Sequence, residues 1–185
     1  MTEPSLSVES SPEGRTVALI GFMGAGKTTL GRILGLRMGR RFVDLDDLIV
    51  ADAGLSIAEI FRQSGEERFR DLESAALARA LAGEPVVLAP GGGAPMRPAN
   101  RALLRERART FFLDVPFDEL RRRTAGDTGR PLRSRPSREL QALHESRLPV
   151  YRELGELIDA GDRSPDEVAA LILEKLGRLP GGSPA

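Results

Sequence analysis

The sequence predicts an α/β fold, a three-layer sandwich in which helices flank a five-stranded parallel sheet. Short apolar segments alternate with longer segments of helical spacing along most of the chain. Such alternation favours parallel strands that are covered by helices on both faces. The chain has 185 residues, of which 41% are hydrophobic and 29% are charged, and this composition fits a single domain with one core.

The predicted strands are short and contain the β-branched or aromatic residues that favour extended structure. They cover residues 16–20, 41–45, 85–88, 110–113 and 156–159. Ligands of parallel α/β sheets bind beyond the carboxyl ends of the strands. Functional residues are therefore expected directly after these segments.

Apolar positions at helical spacing predict helices over 27–38, 57–61, 66–81, 98–107, 116–124 and 137–149, with a last helix after residue 164. Ser56 and Ser137 are predicted N-caps, and Ser164 with Glu167 forms a capping box. Residues 15–177 are expected to form the domain. Residues 1–14 and 178–185, which are rich in Ser, Pro and Gly, are predicted as disordered tails.

Composition argues against several classes of partner. The charges of the 27 basic and 27 acidic residues cancel, so no net positive charge attracts nucleic acid. Aromatic residues make up 4% of the chain and Trp is absent, so few side chains could stack on bases, and nucleic acid is not an expected ligand. No cysteine is available for a disulfide, a thiolate nucleophile or a zinc site. No apolar run approaches the roughly 20 residues of a membrane helix, and the acidic N-terminus does not resemble a signal peptide. A cytoplasmic location is expected, with no membrane partner.

The segment GFMGAGKT at residues 21–28 matches the pattern G-x-x-x-x-G-K-[ST] directly after the first predicted strand. Such a loop presents backbone N–H groups to phosphate oxygens, and the following helix adds its N-terminal dipole. This motif predicts a P-loop NTPase-type fold that binds ATP and Mg²⁺. A Gly-rich turn formed by chance is the alternative. The predicted nucleotide-binding residues here are Gly24, Ala25, Gly26, Lys27, Thr28 and Thr29.

Acidic residues follow the second predicted strand at Asp44, Asp46 and Asp47. In an extended segment Asp44 and Asp46 would face the same side. One carboxylate could hold the water shell of Mg²⁺, and the other could accept a proton from an attacking hydroxyl group. Helix N-capping is the alternative, and it is sufficient for Asp47.

The third predicted strand leads into Pro90 and the glycines Gly91, Gly92 and Gly93. Without Cβ atoms, this backbone could lie very close to a small ligand. The alternative is a flexible connection. Residues 125–136, which contain Gly, Arg and Pro but few apolar anchors, have the composition of a mobile lid.

Taken together, these motifs resemble the shikimate kinase family over about residues 16–176. The ordered set comprises the phosphate loop, DLD at 44–46, GEERFR at 65–70, GGGA at 91–94, RPL at 130–132, RLPVY at 147–151 and RSP at 163–165. The resemblance implies a monomeric enzyme that transfers the γ-phosphoryl group of ATP to the 3-hydroxyl group of shikimate.

The resemblance also implies roles for individual residues on the acceptor side. Asp46 would bind the acceptor hydroxyl groups and remove the proton of the one that is phosphorylated. Arg70 and Arg147 would bind the acceptor carboxylate, for which the planar guanidinium fork is well suited. Gly92, with Gly91 and Gly93 beside it, would offer backbone groups to the ring hydroxyls.

On the nucleotide side, the resemblance implies that Lys27 and the lid residue Arg130 contact the phosphates. Thr28 would bind Mg²⁺, with Asp44 assisting through water. Arg123, Arg163 and Pro165 would border the adenine. His144, the single histidine of the chain, is expected to be exposed and to have no catalytic role.

Two other functions are compatible with parts of this pattern. A kinase for a different sugar acid, such as gluconate, would need a similar phosphate loop and lid. The combination of Asp46, Arg70 and Arg147 favours instead a carboxylate with neighbouring hydroxyl groups. A ligand-sensing module that retains the fold without chemistry is the other alternative, and the complete catalytic set disfavours it.

Overall fold

The computed structural model describes residues 14–125 and 136–177. Its five strands form one parallel sheet in the order β2-β3-β1-β4-β5. This sheet confirms the predicted fold class. The strands are β1 (Thr16–Ile20), β2 (Phe42–Asp44), β3 (Val87–Ala89), β4 (Ala108–Asp114) and β5 (Glu156–Asp159).

Helices cover both faces of the sheet. They are α1 (Lys27–Met38), α2 (Leu45–Ala53), α3 (Ile57–Ala82), α4 (Pro98–Arg107), α5 (Phe117–Thr124), α6 (Ser137–Leu154) and α7 (Pro165–Lys175), with a 3₁₀ turn at Ala94–Met96. Side chains of β1 alternate between the two cores. Val17 and Leu19 pack with α1 and α7, whereas Ala18 packs with α2, α3 and α4.

The helix α2 corrects the sequence prediction that the second strand continues to Leu45. The strand ends at Asp44, whose carboxylate accepts a hydrogen bond of 3.1 Å from the Asp46 N–H. Asp44 is therefore the N-cap of α2. A cap supplies an acceptor for an N–H group that has no partner within the helix, so the chain turns helical one residue earlier than the apolar pattern suggests.

The helix α3 contains both helices predicted between residues 57 and 81. Ser56 and Glu59 form a capping box at its start. The helix bends at Gly65, whose φ of 78° and ψ of 175° are not helical. Residues other than glycine rarely adopt this φ, so Gly65 marks the boundary that separates the two predicted segments.

The helix α6 differs from its prediction at both ends. Ser137 is its first residue rather than a side-chain cap, and the helix continues through Pro149 to Leu154. Proline removes one helical hydrogen bond. The buried side chains of His144, Arg147 and Tyr151 keep α6 packed against the sheet and the phosphate loop.

Some predictions fall on residues outside the described ranges. They include the predicted tails over 1–14 and 178–185, of which only residue 14 is described, and residues 126–135 of the predicted lid over 125–136, with Arg130. Within the ranges 14–125 and 136–177, no helix is both long enough and apolar enough to cross a membrane.

Candidate active site

The phosphate loop connects β1 to α1 at the carboxyl edge of the sheet. Gly24 and Gly26 have φ values of 82° and 88°, a conformation that glycine adopts without strain. The Lys27 ammonium group donates to the carbonyl oxygens of Gly21 at 2.9 Å and Phe22 at 3.0 Å. The loop thus holds a cation beside the N-terminus of α1, an arrangement suited to binding phosphate.

A cavity of about 510 Å³ lies at the mouth of this loop. The structure brings together most residues that the sequence predicts for nucleotide binding. Ala25 lines an adjoining recess of about 40 Å³ with Arg123, Arg163 and Pro165. The predicted residues that line the larger cavity are Gly24, Gly26, Lys27, Thr28, Thr29, Arg123, Arg163 and Pro165.

Arg123 is anchored at the edge of the cavity by partners on two sides. Its Nε atom donates to Glu119 at 2.7 Å, and its Nη2 atom donates to the Gly161 carbonyl oxygen at 2.6 Å. Pairing with Arg123 and Arg122 lowers the pKa of the Glu119 carboxyl group. These contacts fix the guanidinium plane where a nucleotide base could lie against it.

Thr28 and Asp44 place two oxygen ligands together beside the phosphate loop. The Thr28 hydroxyl donates to Asp44 Oδ2 at 2.8 Å. Asp44 and Asp46 both line the larger cavity. The predicted reason, side-chain alternation along a strand, is wrong because Asp46 lies in the first turn of α2.

This donor set fits Mg²⁺, which prefers oxygen ligands and usually takes only one or two carboxylates in nucleotide sites. Among residues 14–125 and 136–177 there is no cluster of three His, Cys, Asp or Glu side chains that could hold a metal by itself. The phosphates of a nucleotide would have to complete the coordination.

A second cavity of about 380 Å³ adjoins the first. Every residue predicted for the acceptor lines it: Asp46, Arg70, Gly91, Gly92, Gly93 and Arg147. Asp46 and Gly91 line both cavities. A phosphoryl donor in the first cavity would therefore lie next to an acceptor in the second.

Glu73 is an acceptor-cavity residue that the sequence interpretation missed. Its side chain is 1% exposed and accepts from Arg70 Nη1 at 3.1 Å, while Glu66 accepts from Arg70 Nη2 at 3.0 Å. Burial raises the pKa of Glu73 to about 7 although the Arg70 guanidinium opposes that rise. Glu73 follows Arg70 by three residues in a segment that is predicted to be helical, and this spacing was the sequence signal that could have identified Glu73 as a partner of Arg70.

The glycines after β3 allow the backbone to approach these charged groups. A Cβ atom at Gly93 would collide with the Arg70 guanidinium, and one at Gly91 would lie 2.7 Å from Glu73 Oε1. Close approach, rather than a positive φ, therefore explains the glycines at both positions. Any side chain here would displace Arg70 or Glu73.

The helix α6 packs against the phosphate loop through Phe22. The Arg147 guanidinium lies 5.7 Å from the centre of the Phe22 ring. His144 contacts Phe22 and Phe117 with ring centroids at 5.1 and 5.6 Å. The prediction that His144 is exposed is wrong: it is 7% exposed, and burial lowers its pKa.

Comparison with known proteins identifies the family. The family model described as shikimate kinase matches residues 23–177. The chain belongs to the shikimate kinase family. A shikimate kinase of Streptococcus gordonii is 42% identical over 158 residues, which cover 83% of this chain and 96% of that relative.

Solved structures agree with membership of the shikimate kinase family. Shikimate kinase from Acinetobacter baumannii in complex with shikimate has a TM-score of 0.85 and 36% identity, covering 88% of this chain and 92% of that one. A gluconokinase from Sinorhizobium meliloti has a TM-score of 0.56 at 19% identity over 89% and 93% of the two chains. That second likeness shows the fold alone.

Proposed function

We propose that this protein transfers the γ-phosphoryl group of ATP to the 3-hydroxyl group of shikimate. The observation that carries the proposal is the junction of the two cavities at Asp46 and Gly91. One cavity is built around a phosphate loop, and the other contains the guanidinium groups of Arg70 and Arg147 together with acidic side chains that include Asp46. This combination suits a donor with phosphates and an acceptor with a carboxylate and hydroxyl groups.

In this proposal Lys27 neutralises charge on the β- and γ-phosphates, and Arg130, which lies outside the described residues, assists it. Thr28 would bind Mg²⁺, and Asp44 would assist through water. When bound, Mg²⁺ would reduce the repulsion between the phosphates and the incoming oxygen. Arg123, Arg163 and Pro165 border the adenine. We propose that residues 125–136, most of which lie outside the described ranges, act as a lid that would exclude water, which would otherwise compete with the acceptor for the phosphoryl group.

The acceptor carboxylate is held by Arg70 and Arg147, which line the same cavity from α3 and α6. Asp46 binds the reacting hydroxyl group. As its oxygen forms a bond to the γ-phosphorus, the bond from that phosphorus to the β–γ bridging oxygen breaks and ADP leaves. Asp46 accepts the hydroxyl proton. We further propose that the enzyme acts as a monomer in the cytoplasm, where ATP is available.

The first test measures ADP release with Mg-ATP and a panel of acceptors. We expect turnover with shikimate and only background release with gluconate, because gluconate lacks the ring that places carboxylate and hydroxyl groups at fixed positions. Turnover with gluconate but not shikimate would reject the proposed acceptor. Tight binding of shikimate by calorimetry, without a phosphorylated product, would indicate a sensing module instead.

Replacing Arg70 by Lys should weaken acceptor binding selectively. Lysine keeps the charge beside buried Glu73 but loses the forked donor geometry, so we expect the KM for shikimate to rise about tenfold with little change in the KM for ATP. Steady-state kinetics with each substrate varied would measure both values.

Arg97→Lys is the matched control for this prediction. Arg97 also pairs with carboxylates of α3, Glu67 and Asp71, but it does not line either cavity. Its variant should retain wild-type KM values. An Arg70→Lys enzyme with an unchanged KM for shikimate would remove Arg70 from the proposed acceptor site.

A further inference from the structure

Tyr151 is buried where α6 meets the glycines after β3. It is fully buried, and its ring packs against Phe112 with centroids 5.3 Å apart. Its hydroxyl group donates to the Gly92 carbonyl oxygen at 2.5 Å. Tyr151 does not itself line the acceptor cavity, so any effect on the acceptor would act through the groups that it contacts.

The Tyr151 hydroxyl lies beside two groups of the acceptor cavity. It donates to Gly92, and Arg147 lies on the same side of that residue: a Cβ atom at Gly92 would be 3.4 Å from the Tyr151 hydroxyl oxygen and 3.5 Å from Arg147 Nη1. Arg147 and Tyr151 are four residues apart on α6 and so share one face of the helix. The Tyr151 hydroxyl and the Arg147 guanidinium thus both lie against Gly92, and the hydroxyl is bonded to its backbone.

Two properties let the hydrogen bond from Tyr151 to Gly92 persist while Gly92 also binds a ligand. Burial raises the pKa of the Tyr151 hydroxyl to about 12, so the group retains the proton that it donates to Gly92. A carbonyl oxygen also has two lone pairs. The Gly92 oxygen can therefore accept from Tyr151 and still accept from a ligand hydroxyl group.

We propose that Tyr151 is a positioning residue for the acceptor. This inference rests on the proposed function. Its hydroxyl group fixes the direction of the Gly92 carbonyl and the position of the Arg147 guanidinium beside it. The Gly92 carbonyl then contacts a ring hydroxyl group of the acceptor, and the Arg147 guanidinium contacts the acceptor carboxylate. A rigid link between the two groups favours acceptors in which carboxylate and hydroxyl are held at a fixed separation.

The variant Tyr151→Phe tests this role because it keeps the ring on Phe112 and removes only the hydroxyl. We expect the KM for shikimate to rise about tenfold while the KM for ATP changes by less than about twofold. The control is Thr16→Val, which removes a buried hydroxyl that accepts from the Val86 N–H at 3.2 Å. Thr16 lies at the amino end of β1, whereas the site lies at the carboxyl ends of the strands. Both KM values should therefore stay at wild-type levels.

A purely structural role for Tyr151 predicts a different result. Both variants would then lower the melting temperature, and Tyr151→Phe would either leave the two KM values unchanged or raise them together. Either outcome would overturn the proposal.

A second measurement does not require the variant to fold. Tyr151 is the single tyrosine of the chain, so protein labelled with meta-fluorotyrosine carries one fluorine label, next to the hydroxyl group in question. We expect saturating shikimate to shift its NMR signal, and ADP alone to leave it in place. An unchanged signal in a labelled enzyme that binds and phosphorylates shikimate would overturn the positioning role alone. Absence of both binding and turnover would instead reject the proposed function.

Discussion

Replacing Asp46 by Asn is expected to lower kcat by about two to four orders of magnitude, the usual contribution of a positioned general base. The amide has nearly the same shape as the carboxylate but cannot take up the hydroxyl proton. Asp46 lines both cavities and lies in the first turn of α2, so the substitution removes the charge where donor and acceptor meet. Initial rates of ADP release would measure the loss.

The KM for ATP should change little in this variant, because the phosphate loop and the contact between Thr28 and Asp44 remain. Asp52→Asn is the control on the same helix. Asp52 forms an ion pair with Arg79 and lines neither cavity, so its variant should keep wild-type turnover. If Asp46→Asn retained a kcat within about tenfold of wild type, another group would have to accept the proton.

The features that sequence predicted best depend on local chemistry. The phosphate loop requires glycines at particular backbone angles and a lysine at the first position of a helix, and these requirements are visible in the residues themselves. The capping boxes at Ser56 and Ser164 are local in the same sense. Strand ends were predicted less accurately. The helix α2 was missed because Asp44 ends the strand and caps the helix that follows.

The features that sequence could not supply depend on burial. The spacing of Glu73 from Arg70 on α3 is visible in the sequence, but its burial is not, because that burial depends on how the glycines after β3 pack against it. Tyr151 becomes a neighbour of Gly92 only through the packing of α6 against the same glycines. His144 was predicted as exposed for the same reason, since its position between Phe22 and Phe117 is set by how α6 packs on the loop. The roles of the cavity residues stay predictions until the variants are measured.

The buried carboxyl group of Glu73 should make stability depend on pH. Burial raises its pKa in the folded protein from an ordinary value of 4.5 to about 7, with a further contribution from Asp46 and opposition from Arg70. Between these two pH values the folded protein holds a proton that the unfolded chain releases. The stabilisation is therefore complete below about pH 4.5 and is lost as the pH rises through about 7.

Comparison of the wild type with Glu73→Gln isolates this effect. Glutamine is neutral at every pH, so the variant should not lose the stability that the wild type loses. One unit of pKa corresponds to about 1.36 kcal/mol. We therefore expect the free energy of unfolding of the variant, relative to wild type, to increase by about 3 kcal/mol between about pH 4.5 and about pH 8. Urea unfolding across this range would measure it.

Glu66→Gln distinguishes this effect from the simple loss of a partner of Arg70. Glu66 also pairs with Arg70, but its side chain is 62% exposed, so water solvates it in both the folded and the unfolded state. Its variant should follow the pH dependence of the wild type. If the Glu73→Gln and wild-type curves instead stayed parallel from acid to neutral pH, Glu73 would already be ionised in acid, and the Arg70 guanidinium would outweigh the effect of burial.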